Sequence, residues 1–332
     1  MIEQRTLGRT GLKVAVLGFG CGAVGGLMVR GAPKDQERAV ARAVELGINY
    51  FDTAAQYGDG ESERNLGRVL AVLKPEVLVG TKVGVPAADR GRIGAAITAA
   101  LDASLRRLGR DSVDLFQLHN PITGAGNDAA FTPAMVLNEA VPAMQKLQRE
   151  GKTRFIGITA IGDAAALHAV VGSGAIDTMQ MPYNLLNPSA GNKLPAGYPA
   201  HDFKELMARA RDVGVGVIGI RILAAGALSG VAARHPIAAP SVEPIASGSS
   251  YAIDLERARA LRPLVDEGYA DSLVEASIRF AIAHPAMSTA LIGIATPEQF
   301  EFAASAAAKG PLTAAGLARA AELQRGFAGA QR

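Results

Sequence analysis

An acid, an amine and an imidazole close three successive apolar runs: Asp52 ends INYFD, Lys82 ends EVLVGTK and His119 ends VDLFQLH. Side chains just past parallel strands of a barrel project into one shared mouth, so these three would face a single pocket. Tyr57 follows in FDTAAQYGDGES, a loop ahead of a helical stretch, and its hydroxyl can reach back over that mouth. A phenol titrates near ~10, too high to release a proton easily at neutral pH, but an adjacent ammonium stabilises the phenolate and lowers that value. Lys82 can supply this charge, and a buried ammonium needs a carboxylate, for which Asp52 is the nearest candidate. The set reads as a tuned general acid: Tyr57 protonates a carbonyl oxygen, Lys82 and Asp52 set its acidity, and His119 orients or polarises the carbonyl. Tyr57 and His119 would touch substrate, and Asn120, directly after His119, would contact substrate or support its neighbour. No side chain delivers a hydride, so the chemistry requires a nicotinamide cofactor laid across the same mouth. Singly, each residue has an ordinary explanation as a helix cap, rim packing or hydrogen-bonded core; it is the combination that points to catalysis.

What must position them is a repeated unit: a short apolar run, a glycine or polar break, then an amphipathic helical stretch. The runs are VAVLGFG, INYFD, EVLVGTK, VDLFQLH, TRFIGIT, DTMQMPY, VGVIGI and STALIGI. Their number selects a closed (β/α)8 TIM barrel of the α/β class over an open sheet. A hairpin turning at Arg9 to Gly11 precedes the first run, and an extra helix is expected near the C-terminus. Helical spacing marks Gln36 to Leu46, Glu61 to Leu73, Gly94 to Leu108, Val136 to Glu150, Ala164 to Val171, Phe203 to Val213 and Ser272 to Ala283. The Ala-rich tract Ala303 to Ala308 reads as ordinary helix. One barrel domain over 1–332 accounts for the length. Asn120 to Thr132, Leu186 to His201 and Ala224 to Asp254 are Gly-, Pro-, Ser- or Asn-rich loops after strand ends, where barrel enzymes build their substrate walls. They carry few aromatics, chiefly Phe131, Tyr198 and Tyr251.

The formal charge of +3, with basic residues scattered, leaves no electrostatic footprint for nucleic acid or a membrane surface. The partner expected is a small carbonyl or alcohol. The polar N-terminus lacks a signal-peptide core and Arg221 interrupts the most apolar later stretch, so the expected location is the cytoplasm. A lone cysteine, Cys21, read as a small buried hydrophobe, excludes an internal disulfide, and no metal site is expected.

The strings LGRTGLKVAVLGFGCGAVGG, INYFDTAAQYGDGESERNLGRVL, VLVGTKVG, VDLFQLHNP, GKTRFIGIT, QMPYNLLNP and IGIATPEQF follow an order and spacing that resembles the aldo-keto reductases over essentially the whole length. GKTRFIGIT and STALIGI are loosely similar to the sugar-dehydrogenase side of that family, aldose dehydrogenases included. The resemblance implies a catalytic tetrad at Asp52, Tyr57, Lys82 and His119, and NADPH or NADH bound extended at the barrel mouth rather than on a Gly-rich Rossmann turn. It implies cofactor contacts at Gly20, Asp52, Thr159, Gln180, Arg221, Leu223, Gly293, Thr296 and Gln299, with Gln180 and Thr159 on the nicotinamide carboxamide. The chain departs from the pattern in several places. Ala160 stands for an expected Asn, and Ile220 and Arg221 stand for an aromatic and a serine. Arg221 is then a pyrophosphate ligand or one half of a structural salt bridge. Ile294, Ala295, Thr296 and Pro297 lack the cation that grips a 2'-phosphate, and Ala303 replaces an adenine-side Asn. Losing that cation favours NADH-capable or dual cofactor use.

Two rival readings remain at this stage. In one, Lys82 is a Schiff-base nucleophile; in the other, the chain is a nicotinamide-binding regulatory or sensor subunit with little turnover.

Overall fold

The chain folds, in a computed structural model that describes residues 2–328, around a closed barrel of parallel strands. Residue 1 and residues 329–332 of the expected domain span lie outside the described residues. The barrel strands are β3 Leu17–Gly20, β4 Tyr50–Asp52, β5 Leu78–Val83, β6 Val113–Leu118, β7 Thr153–Thr159, β8 Thr178–Pro182, β9 Gly216–Ile220 and β10 Met287–Gly293. They pair in chain order, and β10 closes on β3 through Ala290↔Leu17 to Gly293↔Gly20. Each expected apolar run contributes one barrel strand. Strands such as β6 and β8 are buried at every position, because one face fills the barrel and the other meets the helices.

The run VAVLGFG splits. It bends at Val16, so its first half becomes β2 Lys13–Ala15, paired antiparallel with β1 Gln4–Thr6, and only its second half enters the barrel. This hairpin is the plug of the barrel's N-terminal end. Leu7, Leu12 and Val14 pack against Tyr50, Leu115, Ile218 and Leu291 in an apolar layer distinct from the outer core. Gly8, at φ +50°, presses its turn onto the start of β9, where a Cβ would lie 2.3 Å from Gly216 N.

The helices form the outer ring, and two expected ones are altered. Val136 to Glu150 is a π-turn over Val136–Ala140 followed by α-helix Val141–Arg149, because Pro142 has no N–H to give to an α-helical ladder. The stretch from Phe203 becomes helical only at Leu206–Asp212. Its first residues are held elsewhere: Phe203 N donates to Ser189 Oγ and Glu205 N to Ser189 O, with Lys204 and Glu205 at positive φ. Helices Pro297–Ala308 and Ala314–Arg325 follow β10. Among the described residues no helix is long and apolar enough to cross a membrane.

Candidate active site

The site grows from the ends of β4, β5 and β6. Side chains alternate along a strand, so Tyr50 and Asp52 share the inward face of β4. Lys82 and Gln117 stand opposite each other in the β5–β6 register, and His119 follows β6 on the same inward side. The structure brings the four expected side chains together. Lys82, 1% exposed, donates to Asp52 Oδ2 at 2.5 Å, to the Thr53 carbonyl at 2.8 Å and to the Tyr57 hydroxyl at 3.3 Å. The Tyr57 and His119 rings meet edge to face at 6.0 Å. Asp52 is held further by Tyr50 OH at 2.9 Å and Gln180 Nε2 at 2.5 Å, both donating to Oδ1. Three donors on one carboxylate are what a buried ion pair needs if its desolvation is to be offset. All three Lys82 protons are engaged, so no amine lone pair faces the cleft and the Schiff-base reading loses its nucleophile.

Electrostatics correct one expectation. Burial raises the Tyr57 phenol above its ordinary value, and the opposing pull of Lys82 only partly offsets it. The ammonium acts in the expected direction, but desolvation is the larger effect. Burial also works against the Lys82 charge, yet Asp52 and Tyr57 outweigh it and hold the ammonium above its ordinary range. Burial, aided by the Lys82 charge, pushes His119 down to about 3. The imidazole is therefore neutral at physiological pH, and its buried Nδ1 has no protein partner. A proton on Nδ1 would be stranded, so the tautomer favoured is the one with N–H on Nε2. The arrangement can present a phenol proton and an imidazole N–H to one oxygen.

These residues floor a cleft of about 670 Å³ that runs from Asp52, Tyr57 and His119 to Glu298 and Phe302 on helix Pro297–Ala308. Of the residues the resemblance names as cofactor contacts, Gly20, Asp52, Thr159, Gln180, Arg221, Leu223, Gly293 and Gln299 line it. Thr296 does not line it; its hydroxyl accepts from Gln299 N as the cap of that helix. Arg221, at φ +56°, makes no salt bridge among the described residues and donates to the Glu243 carbonyl. Burial lowers its pKa, the response of a cation partly stripped of water. At the cleft's far end residues 294–297 carry no cation, whereas Glu298 brings a carboxylate, paired to Arg38 at 2.7 Å.

A nicotinamide dinucleotide fits this donor set. The buried Thr159 Oγ1 has no protein partner although its residue lines the cleft, which is what a site awaiting a polar ligand group shows. Gln180 keeps one amide atom free of protein hydrogen bonds, and Arg221 lines the cleft as a cation able to meet an anion.

Of the three expected loop walls, only the segment from Ala224 contributes lining residues, Tyr251 among them. The Asn120 to Thr132 loop folds onto its own side of the barrel. Asn120 accepts from Val85 N and donates to the carbonyls of Val85 and Ala129, so its amide is spent on backbone and does not reach the cleft. Phe131 is fully buried beneath the Arg90 guanidinium. Tyr198 is likewise internal, giving its hydroxyl to Leu186 O and its ring to Arg257. Cys21 is buried beside the site, and burial pushes its thiol up, leaving it inert. The sequence reasoning missed Tyr50 and the Gln180–Asp52 bond. The signal for Tyr50 was present: it lies two residues before a strand-end acid, hence on the same strand face.

A family model described as the aldo/keto reductase family matches residues 16–325. L-galactose dehydrogenase of Arabidopsis thaliana is 30% identical over 309 residues, covering 90% of this chain and 86% of that protein. NADH-specific methylglyoxal reductase of Escherichia coli is 29% identical over 211 residues, covering 58% of this chain and 62% of that protein. Among solved structures, an aldo-keto reductase from Bacillus halodurans in its holo form superposes with a TM-score of 0.73 at 26% identity, covering 97% and 96% of the two chains.

Proposed function

The chain belongs to the aldo/keto reductase family, and from that premise we propose that it interconverts a carbonyl and an alcohol, with Tyr57 as general acid in reduction and general base in oxidation. The observation that carries this reading is the hydrogen-bonded series Asp52–Lys82–Tyr57 beside a neutral His119, all at one end of a cleft. Thr159, Gln180, Arg221 and their neighbours would hold a nicotinamide cofactor, which would supply or accept the hydride. The protein's own residues handle the proton and the geometry. Tyr57 and His119 Nε2–H hold the substrate oxygen between them, and Tyr57 gives its proton as charge develops there. Lys82 stabilises the phenolate left behind, and Asp52 keeps Lys82 charged and in place.

The substrate class we propose is a small aldehyde or a sugar. The likeness to L-galactose dehydrogenase supports it, as does a cleft whose wall from the third long loop offers only Tyr251 as an aromatic. For the cofactor we propose NADH or dual use. The absence of a cation at 294–297 and the Glu298 carboxylate both weaken attraction for a 2'-phosphate. The likeness to an enzyme named as NADH-specific points the same way.

The test is direct because the chain has no tryptophan, leaving nicotinamide emission unobscured. NADH and NADPH are titrated separately; aldehydes with reduced cofactor and aldoses with oxidised cofactor are then assayed on wild type and Tyr57→Phe. Turnover should fall by about 10²- to 10⁴-fold in the variant with cofactor binding intact. Cofactor binding without turnover on any substrate would instead favour a sensor, and binding of neither cofactor would refute the reading.

A further inference from the structure

Beneath Asp52, Lys82, Tyr57 and His119 lies a fifth polar side chain that the proposed proton transfer does not yet use. Tyr50 is completely buried, its ring set in the apolar plug of Leu7, Leu12, Val14, Leu115, Ile218 and Leu291. A phenylalanine would fill that volume equally well, so the hydroxyl calls for its own explanation. It is aimed at Asp52 Oδ1, 2.9 Å away. The neighbouring strands leave room for it. On β5, the register partner of Asp52 is Gly80, where a Cβ would stand 2.4 Å from the Tyr50 hydroxyl oxygen and 3.2 Å from two ring carbons. On β3, a Cβ at Gly18 would lie 3.4 Å from the other side of the ring.

We propose that Tyr50 is a positioning residue for the reaction: its hydroxyl, with Gln180 Nε2, fixes Asp52 Oδ1 so that Oδ2 holds Lys82 against Tyr57. This rests on the reading of Tyr57 as the acid–base group. Without the hydroxyl, Oδ1 keeps only the Gln180 donor, and the carboxylate is freer to rotate and less neutralised. The groups facing Tyr57 are Asp52 from β4, Lys82 from β5, His119 after β6, Cys21 after β3 and Arg221 after β9. Of these, Asp52 opposes ionisation of the phenol and Lys82 favours it. A less neutralised Asp52 opposes it more, and a proton drawn from Lys82 towards Asp52 removes the favouring charge. Both changes act in the same direction, making Tyr57 a weaker acid and moving its limb of the pH profile upward.

The experiment compares wild type, Tyr50→Phe and Tyr57→Phe as holoenzymes. It measures kcat/KM against pH in the oxidative direction, the thermal midpoint, and the NADH dissociation constant by nicotinamide emission. In Tyr50→Phe the ascending limb should move up by about 0.5 to 1 unit, a roughly 3- to 10-fold loss of oxidative kcat/KM at pH values below both limbs. NADH affinity should be unchanged. A purely structural role would instead lower the midpoint or the plateau rate and leave the limb where it is. An unmoved limb in a folded Tyr50→Phe, with Tyr57→Phe inactive, overturns the role of Tyr50 alone. Turnover that survives in Tyr57→Phe, or no turnover in wild type, overturns the underlying reading and the role of Tyr50 with it.

Discussion

Replacing Lys82 by methionine tests the electrostatic logic of the site on stability as well as rate. The ammonium is essentially unexposed and donates to Asp52, Thr53 O and Tyr57. Methionine fills similar space without charge, leaving the Asp52 carboxylate buried with only Tyr50 and Gln180 as donors. Removing one partner of a buried pair costs about 3–5 kcal/mol, because the other charge is stranded rather than because the pair itself was strongly stabilising. At a urea m-value of about 3 kcal/mol/M, that lowers the unfolding midpoint at pH 7 by roughly 1–1.7 M. Two features separate this cause from a simple packing defect. Asp52→Asn in the Lys82→Met background should restore about 1–3 kcal/mol, since the amide strands no charge. The deficit should also shrink as pH falls from 7 to 5. A stranded carboxylate takes up a proton more readily in the folded state than in the unfolded one, so acid favours the folded variant. Urea titrations of the four proteins of the cycle at the two pH values decide it. A Lys82→Met protein as stable as wild type, or a double variant whose cost is the sum of the singles, would refute the reasoning.

Three further outcomes follow from the same geometry. His119, pushed down to about 3 by burial and then by Lys82, binds fewer protons when folded than when unfolded. Its contribution to stability is complete above its unfolded pKa of about 6.5 and is lost as pH falls towards 3, so His119→Asn should flatten the acid side of the stability profile. A pH–rate limb near neutrality that vanishes in His119→Asn would contradict this. On the proposed cofactor use, Arg221→Ala should weaken NADH and NADPH alike by about 10-fold or more, as loss of a charge-assisted bond to a group common to both. Glu298→Gln should improve NADPH binding only; an Arg221→Ala effect confined to NADPH would place Arg221 on the 2'-phosphate instead.

Much of this architecture was legible because its determinants are local. Apolar runs set off by a glycine or polar break marked every barrel strand, and a polar residue at the end of three of them marked the site. What escaped notice depends on contacts between segments far apart in sequence. That VAVLGFG bends at Val16 follows from the hairpin docking under the barrel, with Val16 N donating to Glu3 O. Leu186 to His201 and Asn120 to Thr132 have the composition of substrate loops, but the capture of Asn120 by Val85 and of Tyr198 by Leu186 turns them into wall supports. Tyr57 shows the same limit in energetic form. Its neighbours can be named from spacing, but the balance between burial and the Lys82 charge depends on how completely the mouth closes over it.

The position of the hairpin plug ties these observations together. A Lys–Asp pair in a barrel core is tenable only if water reaches it from neither end, or if its donors and acceptors are all satisfied. The chain closes one end and satisfies the pair at the other. The layer of Leu7, Leu12 and Val14 seals the N-terminal end, and Tyr50 reaches up through that layer to hydrogen-bond Asp52 from below. The carboxylate is thereby held on three sides by Tyr50, Gln180 and Lys82, and the series continues through Tyr57 towards the cleft. On the function proposed above, a proton entering or leaving the site passes through the phenol. For that reason the acidity of Tyr57, rather than the reach of any loop over the mouth, is the property on which the rate of this protein should depend.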